Sequence, residues 1–208
     1  ASATPSPRGS CPLPSGTDFP AGARAALPVV LGYLSIGFAA GVVERAAGLS
    51  VAEVALLSLV LYAGSAQFVV AAMLAAASPA AAIVVTVFFV NLRHLLLSAA
   101  LAPALARVAP WRNALIGAQL TDETFVVAWN RVAAGGTLTA PWMWGLNVSA
   151  YLAWAAANVA GALLGDALGD SRALGFDFAL TAMFAALLVL QVTGATVRGR
   201  AVAVAAAA

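Results

Sequence analysis
The sequence predicts an all-α fold, a polytopic transmembrane helical bundle of about six spans, and three observations carry that expectation. Of its 208 residues, 63% are hydrophobic and 9% charged, against about 45–50% and about 25% in soluble domains. Mean hydropathy is +0.97; a soluble domain of this size could not hide so much apolar surface, so the bilayer is its solvent. Six stretches reach the ~20 apolar residues that cross a hydrocarbon core as a helix. Alternating β-barrel patterning is absent, which leaves helices as the spanning element.

Taken in order, residues 1–23 form a polar tail rich in Pro, Ser and Gly, expected to be disordered and lacking the basic start and apolar core of a signal peptide. Residues 24–208 form the transmembrane domain, with spans over 24–43, 52–77, 80–106, 113–134, 142–165 and 176–197. Punctuation falls between them: Glu44 to Ser50, Ser78-Pro79, Pro110 with Arg112, Gly135-Gly136 with Pro141, and Asp166 to Arg172. The chain has no initiator Met and stops inside an apolar run, AVAVAAAA, so a C-terminally truncated fragment is expected. An N-inside orientation places five arginines inside and four outside, a small bias toward that topology.

Several function classes drop out. All ten basic residues are arginines, scattered along the chain with a net charge of +2, unlike the clustered face that nucleic acid requires. The single cysteine, Cys11, excludes an intrachain disulfide framework, and no Cys/His spacing resembles a zinc site, so no metal or other cofactor is expected. A P-loop is absent too, which argues against a primary pump in this chain.

The informative residues are those that lipid penalises, at roughly 2.5–3.5 kcal/mol for a charge at a helix centre. Arg93 sits at the midpoint of the third span, flanked by Asn91 and His94, and Asp122 and Glu123 sit at the middle of the fourth. Matching depth suggests that Arg93 pairs with one of those acids, either as part of a site or as an inert pair that fixes helix orientation. Asn91, His94 and Ser98 fall on one helical stripe, as do Gln119, Glu123 and Asn130. In the fifth span Asn147, Tyr151, Trp154, Asn158, Gly161 and Gly165 form a stripe that is polar at one end and small at the other. Its small end, with Gly169 beyond and with Gly37 and Gly41 in the first span, reads as close helix packing. His94 titrates near neutral pH unless shifted and could relay protons beside Glu123. Glu53 reads as a first-turn acid favoured by the helix dipole.

The second span is too long for a straight crossing. Residues 52–77 would extend about 39 Å as a helix against a core of ~30 Å, and Ala63-Gly64-Ser65-Ala66-Gln67 lies near the middle. Gly and Ser are kink sites, so either a tilted continuous helix or a broken one fits. A broken helix would present free amides at midplane, where the dipole favours an anion such as a carboxylate.

Together these segments resemble the AzlC family, the large subunit of bacterial branched-chain amino-acid exporters. The resemblance runs from about Arg24 to Phe184 and rests on RAALPVVLGYLSIGFAAG at 24–41, AGSAQF at 63–68, NLRHLL at 91–96, TDETF at 121–125, YLAW at 151–154 and LGFDFAL at 174–180. Ser35, Ile36 and Thr181 stand where the family tends to carry Pro, Phe and Pro, which bears on local helix shape. The resemblance implies export of leucine, isoleucine and valine across the bacterial cytoplasmic membrane. It also implies a small AzlD-type membrane subunit as partner.

The expected mechanism is that of a secondary transporter, not an enzyme, with its site at midplane among spans two, three and four. Gly64, Ser65 and Gln67 would bind the substrate carboxylate, with Asn91 nearby. Asp122 or Glu123 would face the ammonium group, with Arg93 neutralising the other acid. Phe68, Phe88 or Phe125 would surround the aliphatic side chain, and His94 with Glu123 would carry coupling protons. Two other readings remain: an intramembrane serine hydrolase using Ser65 and His94, for which Ser65 lacks a G-x-S-x-G setting, and a membrane scaffold that transports nothing.

Overall fold
A computed structural model describes residues 18–165 and Phe178. Its helices are α1 (Asp18–Ala25), α2 (Leu27–Ala46), α3 (Val51–Val60), α4 (Gly64–Ala75), α5 (Ala80–Leu101), α6 (Pro110–Ala118), α7 (Asp122–Ala133) and α8 (Ala140–Leu164). A 3-10 turn, Ala102–Leu105, tightens the end of α5. Among the described residues there is no strand. Among the described residues three helices are long and apolar enough to cross a membrane: α2, α5 with its 3-10 turn, and α8. Apart from Phe178, the sixth expected span, 176–197, lies outside the described residues, as do Gly169 and residues 1–17 of the tail. Helix α1 begins at Asp18, inside the segment expected to be disordered.

Two expected spans are each a pair of short helices. The second span divides into α3, 10 residues, and α4, 12 residues, whose axial rise adds to about 33 Å and so matches a ~30 Å core without the excess of a continuous helix. The fourth, expected as one helix over 113–134, divides into α6, 9 residues, and α7, 12 residues. Three residues separate the halves in both cases: Leu61, Tyr62 and Ala63, then Gln119, Leu120 and Thr121.

The chain forms two compact units, one built from residues 18–28 and 94–149, the other from 29–93 and 150–165. In the second unit, α2 packs against the later part of α8 through small residues. A Cβ on Gly41 would lie 2.0 Å from the Asn158 carbonyl oxygen, and one on Gly161 would lie 2.1 Å from that of Phe38; only glycine lets the backbones come this close. The glycines read from sequence as packing positions, Gly37, Gly41, Gly161 and Gly165, therefore lie in this seam. Helix α2 ends through Gly48, whose φ of 98° any residue with a Cβ resists, and Leu49 N–H closes the end on Glu44 O at 3.2 Å. Ser50 and Glu53 then start α3 with a capping box: Glu53 N–H donates to Ser50 Oγ at 3.2 Å, and Ser50 N–H donates to Glu53 Oε2 at 2.7 Å. Glu53 thus does more than sit in the dipole field.

In the first unit, α1 lies against the start of α8. A Cβ on Gly22 would meet the Trp142 carbonyl oxygen at 2.0 Å, and one on Gly145 would meet that of Phe19 at 2.1 Å. Thr139 Oγ1 donates to Asp18 Oδ2 at 2.8 Å. Arg131, in the last turn of α7, stacks over the Trp142 ring at 4.8 Å and donates from Nε to Thr137 O at 2.9 Å. Helix α5 contrasts with α2 and α8: Leu101 is its single buried residue, and Phe88, Phe89, Leu95 and Leu96 are exposed, the surface a bilayer-facing helix presents.

Candidate functional site
The break between α3 and α4 is held open by aromatic residues and an amide. Helix α3 stops at Leu61, and Tyr62 adopts φ 40°, a left-handed conformation that costs a residue with a Cβ about 1 kcal/mol or more. The Tyr62 ring packs edge-on against Tyr151 at 4.7 Å. Tyr151 in turn donates its hydroxyl to Leu59 O at 2.7 Å, satisfying one of the carbonyls orphaned at the end of α3. Gln67 is fully buried and uses both ends of its amide: Nε2 donates to Ser58 Oγ at 3.1 Å, and Oε1 accepts from Trp154 Nε1 at 2.6 Å. This chain ties α8, α4 and α3 around the break. A Cβ on Gly64 would lie 2.9 Å from the Trp154 ring, so glycine is needed there for the indole's approach.

The opening turn of α4 has no side-chain cap. Its N-cap residue, Ala63, is extended and offers no acceptor, and the first intrahelical bond is Gln67 N–H to Ala63 O at 2.9 Å. The N–H groups of Gly64, Ser65 and Ala66 come before it. Into this turn reaches Arg93 from α5, whose Nη2 donates to Ser65 Oγ. A guanidinium and the positive end of a helix dipole therefore share one corner of the fold, an arrangement that attracts an anion. Asn91, two residues earlier on α5, has a buried Oδ1 with no hydrogen-bond partner. Phe68 is buried one turn into α4, while Phe88 is 61% exposed.

In the other unit, the break between α6 and α7 is capped on both sides. Asn147 Nδ2 donates to Ile116 O at 3.1 Å, and Ser98 Oγ donates to Gly117 O at 3.2 Å, covering carbonyls at the end of α6. Thr121 starts α7 by accepting Thr124 N–H at 3.4 Å, and Thr121 N–H donates to Thr124 Oγ1 at 2.9 Å. Asp122 and Glu123 fall in that first turn, where the dipole favours acids. Phe125 stacks on Trp129 with ring centroids 5.8 Å apart. His94 and Ser98 on α5, with Asn113 and Gly117 on α6, line a cleft of about 630 Å³.

The structure thus brings Ser65 to Arg93 and commits Gln67 to holding the break. It sets Asp122 and Glu123 at a helix start instead of a helix centre. Sequence reasoning passed over Ser58, Glu44 and the second break. The signal for that break was present in Thr121-Asp122-Glu123-Thr124, a capping residue followed by acids, which marks a helix start. Glu44 was expected in a linker; it lies inside α2 with its carboxyl fully buried. Among the described residues no cluster of three or more His, Cys, Asp or Glu could hold a metal ion.

A family model described as AzlC protein matches residues 28–168, well over half of the chain and both breaks included. The chain belongs to the AzlC family. Inner membrane protein YgaZ of Escherichia coli (strain K12) is 31% identical over 185 residues, covering 86% of this chain and 75% of that one. An uncharacterized membrane protein of Archaeoglobus fulgidus is 33% identical over 173 residues, covering 82% and 74%. The Branched-chain amino acid transport protein AzlC of Bacillus subtilis (strain 168) is 26% identical over 168 residues, covering 79% and 64%. No solved structure matches. Membership in the AzlC family makes this a membrane protein with a transport-related role.

Proposed function
We propose that this chain is the transporter subunit of a secondary exporter of branched-chain amino acids in the bacterial cytoplasmic membrane, acting with a small AzlD-type subunit. The observation that carries the reading is the corner formed by Arg93, Ser65 and the uncapped first turn of α4. Free amides at a half-helix N-terminus are suited to a substrate carboxylate, and a guanidinium adds planar, charge-assisted donors. Asp122 and Glu123 are the acids we assign to the ammonium group during the transport cycle. Phe68 and Phe125 are the apolar groups assigned to the aliphatic side chain. The similarity to a protein named for branched-chain amino acid transport supports the substrate class, and the resemblance of the motifs supports export as the direction. Movement against a gradient needs a coupling ion, which we take to be the proton, with His94 and Glu123 its first candidates.

The test is counterflow of labelled leucine, isoleucine and valine in liposomes, with and without the small subunit. Wild-type protein should exchange label, and Arg93→Ala should lose that exchange while still inserting and eluting as a folded species. Absence of exchange by the wild type in both preparations, or full exchange by Arg93→Ala, would overturn the reading.

A further inference from the structure
Helix α2 carries an acid that none of the interactions above uses. Glu44 is fully buried, and among the described residues neither carboxyl oxygen has a hydrogen-bond partner. It follows Gly37 and Gly41 at steps of four and three, so it shares their stripe, which faces the later part of α8. That seam is closed by backbone approach, with a Cβ on Gly41 only 2.0 Å from Asn158 O. Asn158 Oδ1, on the facing helix, is a second buried acceptor without a partner.

Among the described residues of this unit, no charged group pairs with the acid. Helix α8, from Ala140 to Leu164, carries no Asp, Glu, Lys, Arg or His, and its one titratable side chain, Tyr151, donates to Leu59 O. On α3 the sole titratable group is Glu53, exposed and held by Ser50; α4 has none. Arg45, next on α2, donates from Nη1 to Leu49 O, and Arg93 donates to Ser65. An isolated carboxylate in such surroundings costs far more than its neutral acid. The last turn of a helix disfavours an anion further. The closed seam therefore offers the buried carboxyl no compensating partner among the described residues. A buried carboxyl that caps nothing and pairs with nothing contributes little to the fold, and an alanine or leucine would pack there at lower cost. What a carboxyl does that those residues cannot is exchange a proton once water reaches it.

We propose that Glu44 is a proton-binding site of the transport cycle, loaded when the seam between α2 and the later part of α8 is closed and discharged to water when that seam parts. This rests on the transporter reading above and adds a proton-binding group to His94 and Glu123. The step is a single proton transfer between the carboxyl and water.

Two measurements on the full chain in liposomes test it. In the first, infrared difference spectra across a pH titration read the carbonyl stretch of a protonated carboxylic acid. Wild type should lose a band at high pH that Glu44→Gln lacks and that Glu44→Asp shifts. In the second, leucine accumulation driven by a pH gradient is compared with counterflow, which needs no net proton movement. Glu44→Gln should lose gradient-driven accumulation and retain counterflow, and Glu44→Asp should recover part of the accumulation. An acid band that never titrates overturns the proposal, as does gradient-driven accumulation at the wild-type level in Glu44→Gln. Accumulation driven by sodium instead of protons overturns it too. Failure of the wild type to exchange any branched-chain amino acid counts against the transporter reading alone, because the spectra still decide whether Glu44 takes and gives up a proton.

Discussion

Trp154 donates its indole N–H to Gln67 Oε1 at 2.6 Å, and Gln67 passes a hydrogen bond on to Ser58 at 3.1 Å. All three residues are buried, so each donor and acceptor depends on the other two for a partner.

Gln67→Leu keeps the size of the side chain and strands both the indole N–H and the Ser58 hydroxyl. We expect a lower thermal unfolding midpoint in detergent, corresponding to about 1–2 kcal/mol. Trp154→Phe should give a smaller loss, because the ring and its edge contact with Tyr33 at 5.0 Å survive. An unchanged midpoint in Gln67→Leu would show that the chain of bonds contributes nothing.

The seam between α2 and α8 should tolerate no added volume at Gly41. Gly41→Leu must push apart two backbones, at a cost of about 1–3 kcal/mol or more, and size-exclusion profiles should show loss of the folded peak. Gly32→Ala is the control, since a Cβ there meets nothing within 4 Å. Equal yields for the two variants would contradict the packing.

Thr121→Ala removes the cap of α7. A lost cap costs about 1 kcal/mol, to be read as a fall in the unfolding midpoint, and Thr121→Ser should restore most of it. Should alanine and serine variants unfold together at the wild-type temperature, the capping role is wrong.

Arg93→Lys keeps the charge at the start of α4 but not the planar fork. We expect leucine counterflow with a raised KM and a nearly unchanged maximal rate, whereas Asp122→Asn should abolish counterflow while expression survives. A KM for Arg93→Lys equal to that of wild type would remove the guanidinium from carboxylate recognition.

Parts of this architecture were legible in the residues and parts were not, for identifiable reasons. The break at Gly64 announced itself twice, through a helix too long for the bilayer and through a Gly-Ser step at its centre. The break at Gln119 carries neither glycine nor proline, and its apolar count fills a span, so Asp122 and Glu123 read as charges in mid-helix. Their place beside a capping Thr121 outweighed that count. Glu44 reads from sequence as the start of a linker, because charge ordinarily marks the water boundary; its burial is a tertiary fact that hydropathy does not encode. Spacing correctly grouped Gly37 with Gly41 and Gly161 with Gly165 on shared faces. It could not say which face meets which, because periodicity orients a residue on its own helix and names no partner. Gln67 shows the same limit, since an amide at midplane suits a substrate or a Trp–Ser bridge equally well.

The left-handed backbone at Tyr62 makes the α3–α4 junction a sharp turn, not a continuous bend. Joining the two helices would require its φ to cross from the positive to the negative side and would pull the ring from Tyr151, so no series of small adjustments connects the broken rod to a straight one. The positive φ of Tyr62 and its ring contact with Tyr151 therefore fix the angle at which α4 leaves α3.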